Sequence, residues 1–224
     1  MAGLEHYTER LGNAAIALGI QLDASSTQVL LSYMAQLQRW NKTYNLTALR
    51  DPEQMLVQHL FDSLAALPPL AAILDKNTVS DAKIVDVGSG AGLPGVVLAA
   101  LKPAWHVSCV DAVEKKTAFV RQMSGVLSLP NLKAVHARVE TLAPLDADIV
   151  VSRAFASLAD FATLAGAHVG ARGHLVAMKG REPTEEIETL HQQTPWRVDH
   201  IQPLVVPELN AQRCLVWMSR QGTP

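Results

Sequence analysis

The run Asp86-Val87-Gly88-Ser89-Gly90-Ala91-Gly92-Leu93-Pro94-Gly95 carries the strongest chemical signal in this sequence. Glycine tolerates backbone angles closed to other residues and lets a ligand approach the main chain without a Cβ in the way. Two registers of the motif point to different ligands. Gly90-x-Gly92-x-x-Gly95, with Asp111 twenty-one residues past Gly90, matches the spacing of a dinucleotide-binding loop, which keeps an NAD-dependent oxidoreductase open. Read instead as Gly88-x-Gly90-x-Gly92, the loop follows directly on Asp86. A carboxylate there can accept from the loop's own backbone or from a ligand amine, but it would repel a pyrophosphate.

A second group is His59, Asp62 and Ser63, spaced to share one face of a helix. A metal site lacks a third ligand, and no paired Cys/His spacing supplies one elsewhere. The cluster is either a hydrogen-bonded clamp between N-terminal helices and the rest of the fold or part of a substrate pocket. Cations that could meet a polyanion are Arg39, Lys42 and Arg50 near the Asn45 loop, and Lys179, Arg181 and Arg213 near later strand ends. Lys115 and Lys116 read as ordinary solvated surface.

The elements that must hold these residues follow from hydrophobic period. The first seventy-odd residues are helical. Leu30, Leu31, Met34, Leu37 and Trp40 mark one helix, capped at Ser25 or Ser26, and residues 52–67 form another that stops at Pro68-Pro69. Residues 83–87, 106–110, 132–137, 148–152 and 174–179 are short β-rich runs. Helical stretches intervene at 94–101, 114–127 and 158–168, the pattern of a parallel sheet covered on both faces. The last two runs, 197–207 and 212–220, are too closely joined for a crossover and must pair antiparallel. The expected architecture is α/β: a mostly parallel, doubly wound sheet with an antiparallel C-terminal hairpin. Residues 1–74 form a helical extension and residues 75–224 the cofactor-binding domain.

The 224 residues are 49% hydrophobic and 18% charged, with a mean hydropathy of +0.13, which supplies a full core and excludes wholesale disorder. Nineteen Lys and Arg against 21 Asp and Glu argue against electrostatic coating of nucleic acid, while leaving room for a local basic patch. The polar N-terminus lacks the apolar core of a signal peptide, and residues 149–169 are interrupted by Arg153 and Asp160. A cytoplasmic protein without a membrane partner is expected. Cys109 and Cys214 read as small buried hydrophobes.

Asp86 before the glycines and the terminal hairpin both resemble S-adenosylmethionine-dependent methyltransferases, whose cofactor carries a sulfonium and no phosphate. With further segments included, the chain resembles the glucose-inhibited division protein B family, bacterial enzymes that methylate N7 of a guanine in 16S ribosomal RNA. Those segments are Asn45-Leu46-Thr47-Ala48, His59-x-x-Asp62-Ser63-Leu64, the loop in its DVGSGAGLPG form, Lys115-Lys116 with Phe119, Arg138-Val139-Glu140, Ser152-Arg153-Ala154-Phe155 and Lys179-Gly180. The resemblance implies a Rossmann-like, class I methyltransferase fold with seven strands. It implies cofactor contacts at Asp86, Gly88, Gly90, Gly92 and Leu93, ribose contact at Asp111, an adenine border at Val139 and Glu140, and Arg153 facing the pocket. His59, Asp62, Lys179 and Arg213 become candidates for RNA contact. The implied partner is 16S RNA, not DNA. Since a near-neutral protein has little charge to offset extrusion of a base from naked RNA, the substrate is expected within a 30S particle, and a monomer is expected. A noncatalytic ribosome-assembly factor that keeps a vestigial cofactor fold is the remaining alternative.

Overall fold

The computed structural model describes residues 2–153, 155 and 157–222. Three helices lead: α1 (Ala2–Ala17), α2 (Ala24–Tyr44) and α3 (Pro52–Lys76). The alternating region follows as β1 (Lys83–Val87), α4 (Gly95–Leu101), β2 (His106–Asp111), α5 (Glu114–Val126), β3 (Leu132–His136) and β4 (Ala147–Ser152). It continues with α6 (Leu158–Ala165), β5 (Val169–Lys179), α7 (Thr184–Gln193), β6 (Trp196–Leu204) and β7 (Arg213–Arg220). The seven strands lie in the order β3-β2-β1-β4-β5-β7-β6. Strands β1 to β5 are parallel, and β7 is antiparallel to both neighbours, so the expected hairpin closes the sheet.

Strand alternation divides the core into two layers. Ile84, Ile149, Val151 and Val176 face one way and join Leu30, Leu37, Leu64 and Leu70 of the leading helices with Val97, Phe119 and Trp217. Val85, Val150, Leu175, Val216 and Met218 face the other way, under Phe161, Leu190 and Trp196. Burial on both faces explains why the central strands read as apolar runs with little alternation. Both cysteines are buried and free, as expected.

Several boundaries differ from the sequence expectation. Helix α2 is capped by Asp23, whose Oδ1 accepts from Ser26 N–H at 2.6 Å, and not by Ser25 or Ser26. Helix α3 runs through Pro68 and Pro69 to Lys76. Leu64, Ala65, Ala66, Leu67, Leu70 and Leu74 are all buried there, and that packing offsets the hydrogen bonds the two prolines cannot donate. This helix is long and apolar enough to cross a membrane, but two-thirds of its most apolar window (67%) is buried inside the fold. Strand β5 begins at Val169, which pairs with Ala147, and bulges before His174, which pairs with Ile149. The polar helix α7 has only Leu190 buried and left no clear periodic signal.

Candidate active site

The glycine loop is held by two carboxylates and by its own backbone. Asp86, fully buried on β1, accepts the Gly95 N–H through Oδ2 at 2.8 Å. Its other oxygen is buried without a hydrogen-bond partner. Burial pushes the Asp86 carboxyl up to about 7, and Asp111 adds to the rise, while the Gly95 N–H and Arg153 oppose it. Of the two roles open to Asp86, the structure displays the first: it ties the loop together. Gly88 and Ser89 N–H groups donate to Val110 O at 2.8 and 3.2 Å, and Gly92 and Leu93 donate to Ser89 O at 2.8 and 3.0 Å. Gly90 donates to Asp111 Oδ2 at 2.9 Å. Gly92 sits at φ +91°, and a Cβ there would lie 2.7 Å from Val96 Cγ2; one on Gly95 would collide with Cys109 Sγ.

A dinucleotide loop needs free N–H groups aimed at phosphate. Here those of Gly88, Ser89, Gly90, Gly92, Leu93 and Gly95 are already donated within the protein, Gly90 to the Asp111 carboxyl, Gly95 to that of Asp86 and the others to backbone carbonyls. The Gly90/Gly92/Gly95 spacing therefore reflects a left-handed turn at Gly90 (φ +60°) and close packing at Gly92 and Gly95, not a pyrophosphate cradle.

The loop walls a cleft of about 180 Å³, which takes in Gly88, Ser89, Gly90, Ala91 and Leu93 with Leu46, Thr47, His59, Lys116 and Arg153. Ser89 Oγ is buried without a hydrogen-bond partner, a polar atom in the wall that a ligand can satisfy. Asp111 stands behind the loop, 6% exposed, with Oδ1 accepting from Val113 N–H at 2.8 Å. Each of its oxygens keeps a lone pair for a hydroxyl. Lys116 Nζ lies 3.9 Å from Asp111 Oδ2. Its place in the cleft wall was missed because a Lys-Lys pair at a helix start looks like surface.

A second cleft, about 340 Å³, adjoins the first and shares His59 and Arg153 with it. It is lined further by Gln58, Asp62, Met178, Lys179 and Arg213. Its anchor is Asp62, 3% exposed, which accepts from Arg213 Nε at 2.9 Å and Arg153 Nη1 at 3.2 Å. One carboxylate thus holds two guanidinium groups from strand ends 91 and 151 residues away, leaving a net positive wall. The sequence group His59/Asp62/Ser63 splits: Ser63 Oγ is buried without a partner, while His59 and Asp62 face the clefts.

Local helix geometry makes this possible. Residues Leu56–Phe61 form a π turn inside α3. Asp62 N–H reaches Val57 O and His59 O and bypasses the carbonyl of Gln58. That freed oxygen accepts from Arg153 Nη1 at 3.1 Å. Wide turns of this kind are frequent at functional sites. His59 Nε2 pairs with Thr47 Oγ1 at 2.9 Å, and Nδ1 lies 3.2 Å from Gln58 O. A carbonyl only accepts, so the network assigns the ring proton to Nδ1 and lets Thr47 donate to Nε2. Burial, with Arg153 nearby, pushes His59 down to about 4, so the ring is neutral at physiological pH. Buried Asn41 fixes the loop that carries Thr47, donating to Leu49 O and accepting from Thr47 N–H, both at 2.9 Å. Tyr33 of α2, also buried, donates to Ala91 O at 2.8 Å and braces the glycine loop from beneath.

The remaining expected residues are more peripheral. Val139 is buried and its carbonyl pairs with His168 Nε2 at 2.9 Å; Glu140 pairs with Arg138 at 2.7 Å. Neither lines the loop cleft. Lys179 lines the second cleft, but its Nζ is paired with Glu186 Oε2 at 2.8 Å. Ala154, within the expected segment 152–155, lies outside the described residues.

A sheet ordered 3-2-1-4-5-7-6, with a glycine loop braced by acids after β1 and β2, defines a Rossmann-like, class I methyltransferase. The match is closer than the fold. Residues 26–216 match the family model for rRNA small subunit methyltransferase G (GidB), and the chain belongs to that family. A protein of Bordetella petrii with the name ribosomal RNA small subunit methyltransferase G is 63% identical over 96% of this chain and 84% of its own length. One of Bordetella avium with the same name is 62% identical, covering 96% and 95%. Among solved structures, a SAM-dependent methyltransferase from Aquifex aeolicus shares the fold at 15% identity, with a TM-score of 0.51 over 84% of this chain and 97% of that one.

Proposed function

We propose that this protein transfers a methyl group from S-adenosylmethionine to N7 of a guanine in 16S ribosomal RNA, acting in the cytoplasm as a monomer on an assembled small-subunit particle. One observation carries the reading. The glycine-loop cleft and the cationic cleft meet at a common wall, His59 and Arg153, where a donor in one and a base in the other would face each other. Residues 1–74 serve as an extension that completes both clefts of the 75–224 methyltransferase domain.

When bound, S-adenosylmethionine supplies an activated methyl on a sulfonium. Gly88, Ser89, Gly90 and Leu93 would line its site, with Asp111 accepting from vicinal hydroxyls. Guanine N7 has a free lone pair and no proton to lose, so the chain needs alignment and field, not a base. Alkylation there leaves the ring cationic. His59, held neutral, adds no opposing charge, and Asp62 offsets one of the two arginines. The outward cationic surplus suits phosphate.

Mass spectrometry of nuclease-digested 16S RNA from cells with and without the protein tests the reading. Loss of one N7-methylguanosine on deletion is expected, and an unchanged guanine inventory overturns it. Equal methylation of protein-free 16S RNA and 30S particles would remove the particle from the proposal.

A further inference from the structure

We infer that Tyr44, at the exposed end of α2, is a stacking platform for an unpaired RNA base next to the target guanine. This rests on the RNA substrate proposed above. Tyr44 is 45% exposed, and among the described residues it is the one aromatic side chain within the set of exposed large hydrophobics. It stands two and three residues before Leu46 and Thr47, which line the glycine-loop cleft.

The ring is backed from within. Tyr44 lies 4.9 Å from Trp40, Trp40 meets Phe119 edge-on at 5.4 Å, and Phe119 lies 6.0 Å from Tyr33. Tyr33 in turn holds Ala91 of the glycine loop. An aromatic ladder therefore runs from the solvent to the floor of the cofactor cleft, and among the described residues no ring other than Trp40 meets Tyr44. Local charge suits the same ligand. Residues 24–50 contain Arg39, Lys42 and Arg50 and no Asp or Glu, in a chain whose net charge is −2. All three are exposed, and Arg50 is tied beside the ring, its Nη2 donating to Asn45 Oδ1 at 2.7 Å, whereas Arg39 and Lys42 lie on other faces of α2. Aromatic faces flanked by cations are how proteins hold splayed, single-stranded bases, with stacking contributing on the order of tenfold in affinity per base.

Steady-state methyl transfer to 30S particles is compared for the wild type, Tyr44→Phe, Tyr44→Leu and Tyr44→Ala, with cofactor affinity and melting temperature measured alongside. Tyr44→Phe should keep the wild-type KM. Tyr44→Leu and Tyr44→Ala should raise KM for RNA roughly tenfold with kcat, cofactor affinity and melting temperature little changed. An unchanged KM in Tyr44→Ala overturns the inference. So does a loss in Tyr44→Phe equal to that in Tyr44→Ala, which would assign the effect to the hydroxyl. Direct binding to a naked 16S fragment is measured as well: wild-type affinity there for Tyr44→Ala, with KM raised on 30S particles, would place the ring against a ribosomal protein and also overturn it. Failure of the wild type to methylate any RNA would instead sink the proposed function.

Discussion

The two clefts that share His59 and Arg153 are built on different principles. The glycine-loop cleft is assembled from neighbours in sequence: Asp86 reaches Gly95, nine residues on, and Asp111 reaches Gly90, twenty-one back, each through a main-chain N–H. The cationic cleft is assembled from side chains far apart, with Asp62 joined to Arg153 and Arg213. The first depends on backbone shape and tight packing; the second depends on charge brought together only by the finished fold. A cofactor common to many enzymes can be met by a local motif, whereas the cleft we propose for the substrate is built from residues as far apart as Gln58 and Arg213.

The contrast breaks most severely at Gly95. Gly95→Ala puts a methyl against Cys109 and displaces the N–H that Asp86 holds. Overpacking of this kind destabilises by about 1–3 kcal/mol. Calorimetry should find cofactor affinity reduced by on the order of a hundredfold; wild-type affinity would mean the loop is not packing-limited. Next is Asp62→Asn, which leaves two arginines without their carboxylate. We expect a loss of about 2 kcal/mol in stability and on the order of a hundredfold in RNA methylation, with cofactor affinity within about threefold of wild type. A matching collapse in cofactor binding would erase the distinction between the clefts.

Acid–base behaviour separates them in sign. Asp86 titrates near 7 when folded against an ordinary 3.8, so the unfolded chain ionises first, and this group's contribution to stability falls as pH rises from about 4 to 7 and stays low above. His59 titrates near 4 against an ordinary 6.5, so its contribution is full above about 6.5 and lost as pH falls toward 4. The two slopes oppose each other in one window. Melting curves of Asp86→Asn should rise more steeply with pH than wild type between 4 and 7, and those of His59→Gln less steeply. Parallel curves for both variants would contradict the assignments. The smallest effect is expected at Lys179→Met, since Glu186 already neutralises that ammonium; KM for RNA should move less than about threefold.

The same division governed what could be read from sequence. Strands β1, β2 and β7 and the glycine loop are local patterns that fall within a residue of expectation, while the first hairpin strand ends at Leu204, three residues before the expected 207. Asp62's arginines, Tyr33 under Ala91 and Lys116 in the cleft wall are tertiary facts with no local signature. Proline propensity predicted that α3 would stop at Pro68, and burial of its apolar face overrode it.

The π turn in α3 amounts to one surplus residue in an otherwise ordinary helix. Deleting Val57 would let the ladder close and return Gln58 O to the helix as the acceptor for Asp62 N–H, withdrawing one of the two oxygens that hold Arg153 Nη1. That hold on Arg153 is therefore one codon deep: its gain or loss needs no change in the lengths of the strands, the loop or the hairpin.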